Sequence, residues 1–214
     1  LRKVGPLGCG FVTGSGTVFN GLNPKEGTTI AIVGTGAVGS AALMAAKIKG
    51  CSKIICVDIH DSRLEMAKEL GATDTINSLN EDWVDKVHEI TNGEGVDFAI
   101  DTTGISAIMH QAITALASGG HLAPIAVTAK TLEFMPWNEI TALQKHVDGV
   151  LMGDAIPQVG IQTLIDFWQA GEFPFDKLEK FYTFDQVNEA NKASNDGSVI
   201  KPVMVIDQDY VPGE

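Results

Sequence analysis

The chain has 214 residues, 44% of them apolar, and a formal net charge of −12, so it can bury a core in one or two domains. That charge argues against a nucleic-acid partner, which would reward clustered Lys and Arg through counterion release. No apolar run is long enough to span a bilayer and no leader-like pattern opens the chain. Three cysteines without paired spacing make no disulfide framework, so a reducing cytoplasm is the expected setting.

Residues 1–19 carry five glycines and begin with Leu rather than Met, within what reads as folded sequence. The expectation is a piece of a longer protein. An apolar run, Thr29–Val33, then leads into Gly34-Thr35-Gly36-Ala37-Val38-Gly39. A helix-forming run follows over 40–49, and a second apolar run over 53–57 closes on Asp58, 19 positions after Gly39. Strand, G-x-G-x-x-G, helix, strand and acid in this register are the dinucleotide-binding fingerprint. Gly34 permits the tight turn, Gly36 lets backbone approach a pyrophosphate, and Gly39 lets helix and strand pack closely. The helix start offers free N–H groups and the positive end of its dipole to phosphates.

Asp58, at a strand end, is placed to accept hydrogen bonds from an adenosine ribose and to repel a 2′-phosphate. The next residues, Ile59 and His60, supply no arginine to compensate, and Arg63 lies a helical turn further on. NAD is expected over NADP.

Downstream, residues 62–70 have helical spacing with Gly71 as a stop, and residues 73–76 read as a short strand. Trp83, Val84, Val87 and Ile90 share a helical face. A buried strand over 96–100 ends at Asp101-Thr102-Thr103-Gly104, and a helix is expected from Ala107 to Leu116. Gly119-Gly120 introduces a strand over 121–127, and a sixth strand is expected over 147–152. Beyond it come an amphipathic helix around Ile161 to Trp168, another over 185–193, and a last strand over 200–206. Alternating helices and strands predict an α/β fold, a doubly wound parallel sheet of Rossmann type with helices on both faces. Ligands of such sheets lie outside the carboxyl ends of the strands, here Gly34, Asp58, Asp101-Thr102-Thr103-Gly104 and Ala126-Val127-Thr128. Singly, each of these is equally readable as an ordinary turn residue.

Other chemistries lack their signatures. There is no G-x-S-x-G elbow, no His pair at metal-ligand spacing, and no Tyr-x-x-x-Lys pair. Cys51 and Cys56 read as small hydrophobes. Cys9, taken from the residues alone, reads as a buried structural thiol.

The run Gly5-Pro6-Leu7-Gly8-Cys9-Gly10, then Thr13-Gly14-Ser15-Gly16, the fingerprint, Val57-Asp58, Leu70-Gly71-Ala72-Thr73, Gly171-Glu172-Phe173-Pro174 and Phe181-Tyr182-Thr183-Phe184 resemble the zinc-dependent medium-chain alcohol dehydrogenases. Within that family the chain is most similar to the aryl-alcohol (benzyl-alcohol) dehydrogenases. The resemblance implies an alcohol or aldehyde substrate, NAD as hydride acceptor and zinc as the metal, with Cys9 as one zinc ligand. It implies Thr13 beside the nicotinamide, and Asp58, Ile59 and Arg63 around the adenosine ribose. It also implies Thr102, Thr103 and Gly104 over the adenosine, Ala126, Val127 and Met152 at the carboxamide, and Lys201 at the pyrophosphate. Gly34, Gly36, Ala37, Val38 and Gly39 form the phosphate turn. A homodimer or homotetramer through the sheet edge near residues 132–152 is a further implication.

The family's other zinc ligands, its Gly-His-Glu motif and its four-cysteine lobe are absent from the sequence. The expectation is therefore a cofactor-binding part, inactive alone. Residues 1–12 would be the tail of a catalytic domain, 13–152 the nucleotide domain, and 153–214 a segment returning to the missing domain. A stand-alone nucleotide-binding or redox-sensing module is the alternative.

Overall fold

Apolar runs that alternate with helices can be buried on both faces only inside a layered parallel sheet, and that is how this chain uses them. The structure, a computed structural model, describes residues 3–206. Strands β1 (Thr29–Val33), β2 (Lys53–Asp58), β3 (Asp74–Asn77), β4 (Val96–Asp101), β5 (Leu116–Pro124) and β6 (His146–Val147) pair in the order β3-β2-β1-β4-β5-β6. All five pairings are parallel. The order reverses between β1 and β4, and a crevice at the carboxyl ends there is where such sheets bind ligands.

Helix α1 (Gly10–Gly16) precedes the sheet and continues as a wider π-helical turn, Thr17–Leu22, which stops at Asn23 in a left-handed conformation (φ 46°). Helix α2 (Ala37–Ile48) follows β1. It is buried from Gly39 to Ala46 because small residues let it sit between the sheet and α1. A Cβ on Gly14 would lie 2.0 Å from the Val38 carbonyl oxygen, and one on Gly16 would lie 2.5 Å from that of Gly153. Gly14 and Gly16 are thus contact points for close packing, and they hide a helix that propensity does not signal.

Helices α3 (Asp61–Leu70), α4 (Trp83–Ile90) and α5 (Ser106–Ala115) complete the layers. The α4 N-terminus is capped by Asp82, whose carboxylate accepts from the N–H groups of Val84 and Asp85. One core lies on the α1/α2 side around Phe11, Leu43, Met44 and Phe175. The other lies under α4 and α5 around Trp83, Val87, Ile113 and Leu122.

Two strands differ from expectation. β5 begins at Leu116, ahead of Gly119 and Gly120, and ends at Pro124 rather than at residue 127. A register shift between Val96 and Phe98 absorbs the glycines into the ladder. Pro124 sits at the strand end, where its missing donor costs little. The expected sixth strand over 147–152 shrinks to His146–Val147, because Met152 (φ 51°), Gly153 (φ 69°) and Asp154 (φ 46°) are left-handed and cannot extend a strand.

Past this turn come α6 (Pro157–Gln169) and a separate parallel pair, β7 (Glu179–Thr183) with β8 (Lys201–Val205), joined through α7 (Val187–Asn195). β7 was not expected, since its Glu179-Lys180 start masks a half-buried strand. Residues 12 and 13 both lie within α1, which runs through that position unbroken. Among the described residues, no helix is long and apolar enough to cross a membrane.

Candidate functional site

The groove at the carboxyl ends of β1, β2 and β4 is a cavity of about 300 Å³. Gly34, Gly36, Asp58, Ile59, Arg63, Thr102 and Thr103, all singled out in the sequence, line it together. The turn above it is held by close contacts. Gly34 (φ +89°) donates its N–H to the Val57 carbonyl at 2.8 Å, and a Cβ at Gly39 would lie 1.8 Å from the Gly34 oxygen. A Cβ at Gly36 would meet nothing within 4 Å, so backbone there faces open space. Gly36 is the N-cap of α2 and brings no capping side chain. The first N–H groups of the helix, at Ala37, Val38 and Gly39, have no intrahelical acceptor. An uncapped, dipole-positive helix start over open space is an anion site.

Asp58, 6% exposed, is fixed beside this turn. Its Oδ2 accepts from the Thr35 N–H at 2.7 Å and the Thr35 hydroxyl at 2.9 Å. Its Oδ1 accepts from the N–H groups of Ile59 at 2.8 Å and His60 at 3.0 Å. The Arg63 guanidinium approaches Oδ2 at 3.8 Å, and its buried Nε has no partner among the described residues. Asp101 organises the neighbouring loop: its Oδ1 accepts from the N–H and hydroxyl of Thr103, and its Oδ2 from the N–H of Gly104. The Thr102 hydroxyl donates to the carbonyls of Val33 and Gly34, both at 3.0 Å. The two threonine hydroxyls thus brace the loop, and a ligand meets mainly backbone, Asp58 and Arg63.

Sequence reasoning missed the apolar wall of the groove, made by Trp83, Ile105 and Ile108. Trp83 is locked by its indole N–H, which donates to Gln111 Oε1 at 3.0 Å. Ile59 and Ile105 stand half exposed at strand ends. Exposed isoleucine beside a buried acid is the signal that could have marked a flat apolar ligand surface.

The remaining candidates form separate groups. Gly104 (φ +66°) would place a Cβ 3.1 Å from that of Ala126, and Val127 stands fully exposed on the same rim. Thr13 meets Met152, its hydroxyl 3.6 Å from the sulfur. Lys201 opens β8 opposite Glu179 and does not line the groove. Both Glu179 carboxylate oxygens are buried without a partner among the described residues, and burial, with Asp176 nearby, pushes this acid up to about 7. Cys9 is exposed, which overturns the reading of a buried structural thiol: it stands at the N-cap of α1 with its side chain in solvent. Cys56 is buried, and desolvation pushes its thiol well above the ordinary range. Among the described residues no three His, Cys, Asp or Glu side chains converge to hold a metal, so Cys9 alone does not meet the donor set of a zinc site.

A second cavity, of about 370 Å³, lies away from the strand ends between α1 and α6. Three of its polar side chains bond within the protein, Asn20 Nδ2 donating to the Gly153 carbonyl, Ser15 to that of Phe11 and Thr163 to that of Val159.

Comparison with known proteins agrees with this geometry. Residues 37–170 match the family model described as zinc-binding dehydrogenase. The chain is 36% identical over 207 residues to a geraniol dehydrogenase of Castellaniella defragrans, covering 96% of this chain and 55% of that protein. It superposes with a TM-score of 0.93 on a crystal structure of benzyl alcohol dehydrogenase from Acinetobacter calcoaceticus, at 42% identity over 96% of this chain and 57% of that one. An alcohol dehydrogenase zinc-binding domain protein from Burkholderia ambifaria gives the same TM-score and identity, with 97% and 56% covered. The chain spans about half the length of the relatives it matches.

Proposed function

The chain belongs to the zinc-binding dehydrogenase family, and on that premise we propose that it is the NAD-binding part of an alcohol dehydrogenase acting on aryl alcohols of the benzyl type. The observation that carries this is the uncapped α2 N-terminus behind Gly34–Gly39, over open space at Gly36 and beside the fixed carboxylate of Asp58. When bound, NAD supplies the hydride acceptor.

The chain's own residues bind and orient it. The N–H groups of Ala37, Val38 and Gly39 hold the pyrophosphate. Asp58, Ile59 and Arg63 take the adenosine ribose, and the unpartnered Arg63 Nε supplies a donor there. Thr102, Thr103 and Gly104 shape the adenosine side against Trp83 and Ile105. Thr13, Ala126, Val127 and Met152 bound the nicotinamide end. Residues 13–152 carry the cofactor on this reading, while residues 1–12 and 153–214 belong with the catalytic domain of the whole protein. Cys9 is the one candidate zinc ligand, and no metal-dependent step is assigned to this chain. The aryl substrate rests on the likeness to the benzyl alcohol dehydrogenase. A cytoplasmic setting completes the proposal.

Calorimetric titration tests the reading: NADH binds about tenfold or more tightly than NADPH, and benzyl alcohol is not oxidised by this chain alone. Equal affinities, or binding of neither, would overturn it. Self-association through the edge beyond β5 is part of the same proposal, supported by exposed Met135, Trp137 and Leu151. Sedimentation should show a mass that rises with concentration, and a constant monomer mass would exclude it.

A further inference from the structure

We infer that Thr35, the residue between the first two fingerprint glycines, is a positioning residue that sets cofactor choice by fixing the Asp58 carboxylate where a 2′-phosphate would otherwise displace it. The inference deepens the NAD-binding reading above and rests on it.

Thr35 is fully buried, and both its donors point at one oxygen of Asp58, its N–H at 2.7 Å and its hydroxyl at 2.9 Å. The other oxygen is held by the N–H groups of Ile59 and His60. Four donors of the chain hold the carboxylate, two on each oxygen. Three of those donors are backbone. Among the described residues the Thr35 hydroxyl is the one side-chain donor within hydrogen-bond distance, since Arg63 stands 3.8 Å away.

Discrimination against a 2′-phosphate depends on keeping a negative charge at a fixed point of the groove wall. One tie to the helix holds Thr35 itself, the Ser40 hydroxyl donating to the Thr35 carbonyl at 3.1 Å, and the Ser40 N–H holds the carbonyl of the next residue, Gly36, at 2.8 Å. Asp58 is therefore anchored through Thr35 to the start of α2. Without the hydroxyl, Oδ2 keeps a single close donor, and the carboxylate can turn toward solvent when a dianion enters. A ribose hydroxyl makes no such demand, so loss of the anchor falls mainly on the competitor.

The test compares NADH and NADPH affinities of the chain and its Thr35→Val, Thr35→Ser and Asp58→Ala variants by calorimetry, with melting curves for each. The expected result is an NADH-to-NADPH preference reduced about fivefold or more in Thr35→Val and restored in Thr35→Ser. Thr35→Ala carries the same expectation, so a Thr35→Val chain that fails to fold leaves the test intact. A preference unchanged in Thr35→Val or Thr35→Ala, while Asp58→Ala relaxes it, overturns the inference and leaves the NAD reading standing. Failure of the unmodified chain to bind either dinucleotide overturns the NAD reading, and the inference with it.

Discussion

The two ends of the proposed cofactor site are built differently. At the adenosine end, Asp58 and Asp101 are buried, with seven hydrogen bonds from Thr35, Ile59, His60, Thr103 and Gly104 between them. At the other end Val127 is fully exposed, Met152 is more than a third exposed, and the tie between Thr13 and Met152 is one long contact to sulfur. The first end is complete within this chain. The second is a rim of small and apolar residues around the left-handed turn at Met152, Gly153 and Asp154, which Asn20 and Gly16 hold from behind while its outer side chains stay exposed. Affinity built by this chain should therefore reside at the adenosine and pyrophosphate, with the nicotinamide end contributing little.

The largest effect should come from the turn that joins α2 to the groove. Gly39→Val puts side-chain carbon against the Gly34 carbonyl, 1.8 Å from an ideal Cβ, and should cost more than about 3 kcal/mol of stability. Urea unfolding measures it, and a loss below about 1 kcal/mol would mean the turn relaxes easily and is not a preformed cradle. A matched pair of substitutions then sharpens the contrast between the ends. Asp58→Ala orphans two buried and two partly buried donors and should cost roughly 2–3 kcal/mol. Met152→Ala should cost under about 1 kcal/mol and change NADH affinity less than about threefold. Equal effects at the two positions would break the comparison.

Much of the sheet was legible because its signal is local. Thr29–Val33 and the run before Asp58 are buried on both faces, and the turn between them needs glycine for steric reasons that sequence states directly. Asp58 was legible by spacing, but its saturation by Thr35 was not, since the x of G-x-G carries no expectation of its own. The helix over residues 10–22 was hidden because Gly14 and Gly16 serve contacts with Val38 and Gly153, far away in sequence. The end of β5 and the two-residue β6 escaped for a similar reason: a register shift and three left-handed residues override an apolar run. Strand β7 depends on pairing with β8, which lies more than 20 residues downstream.

The most direct test of the central claim is a calorimetric comparison of NADH with ADP-ribose, which keeps the adenosine and pyrophosphate and lacks the nicotinamide. An adenosine end preformed in this chain predicts that ADP-ribose binds within about threefold of NADH, a difference under about 1 kcal/mol. ADP-ribose binding weaker by more than about tenfold would contradict it, because the nicotinamide end would then be supplying affinity that its loose construction does not explain.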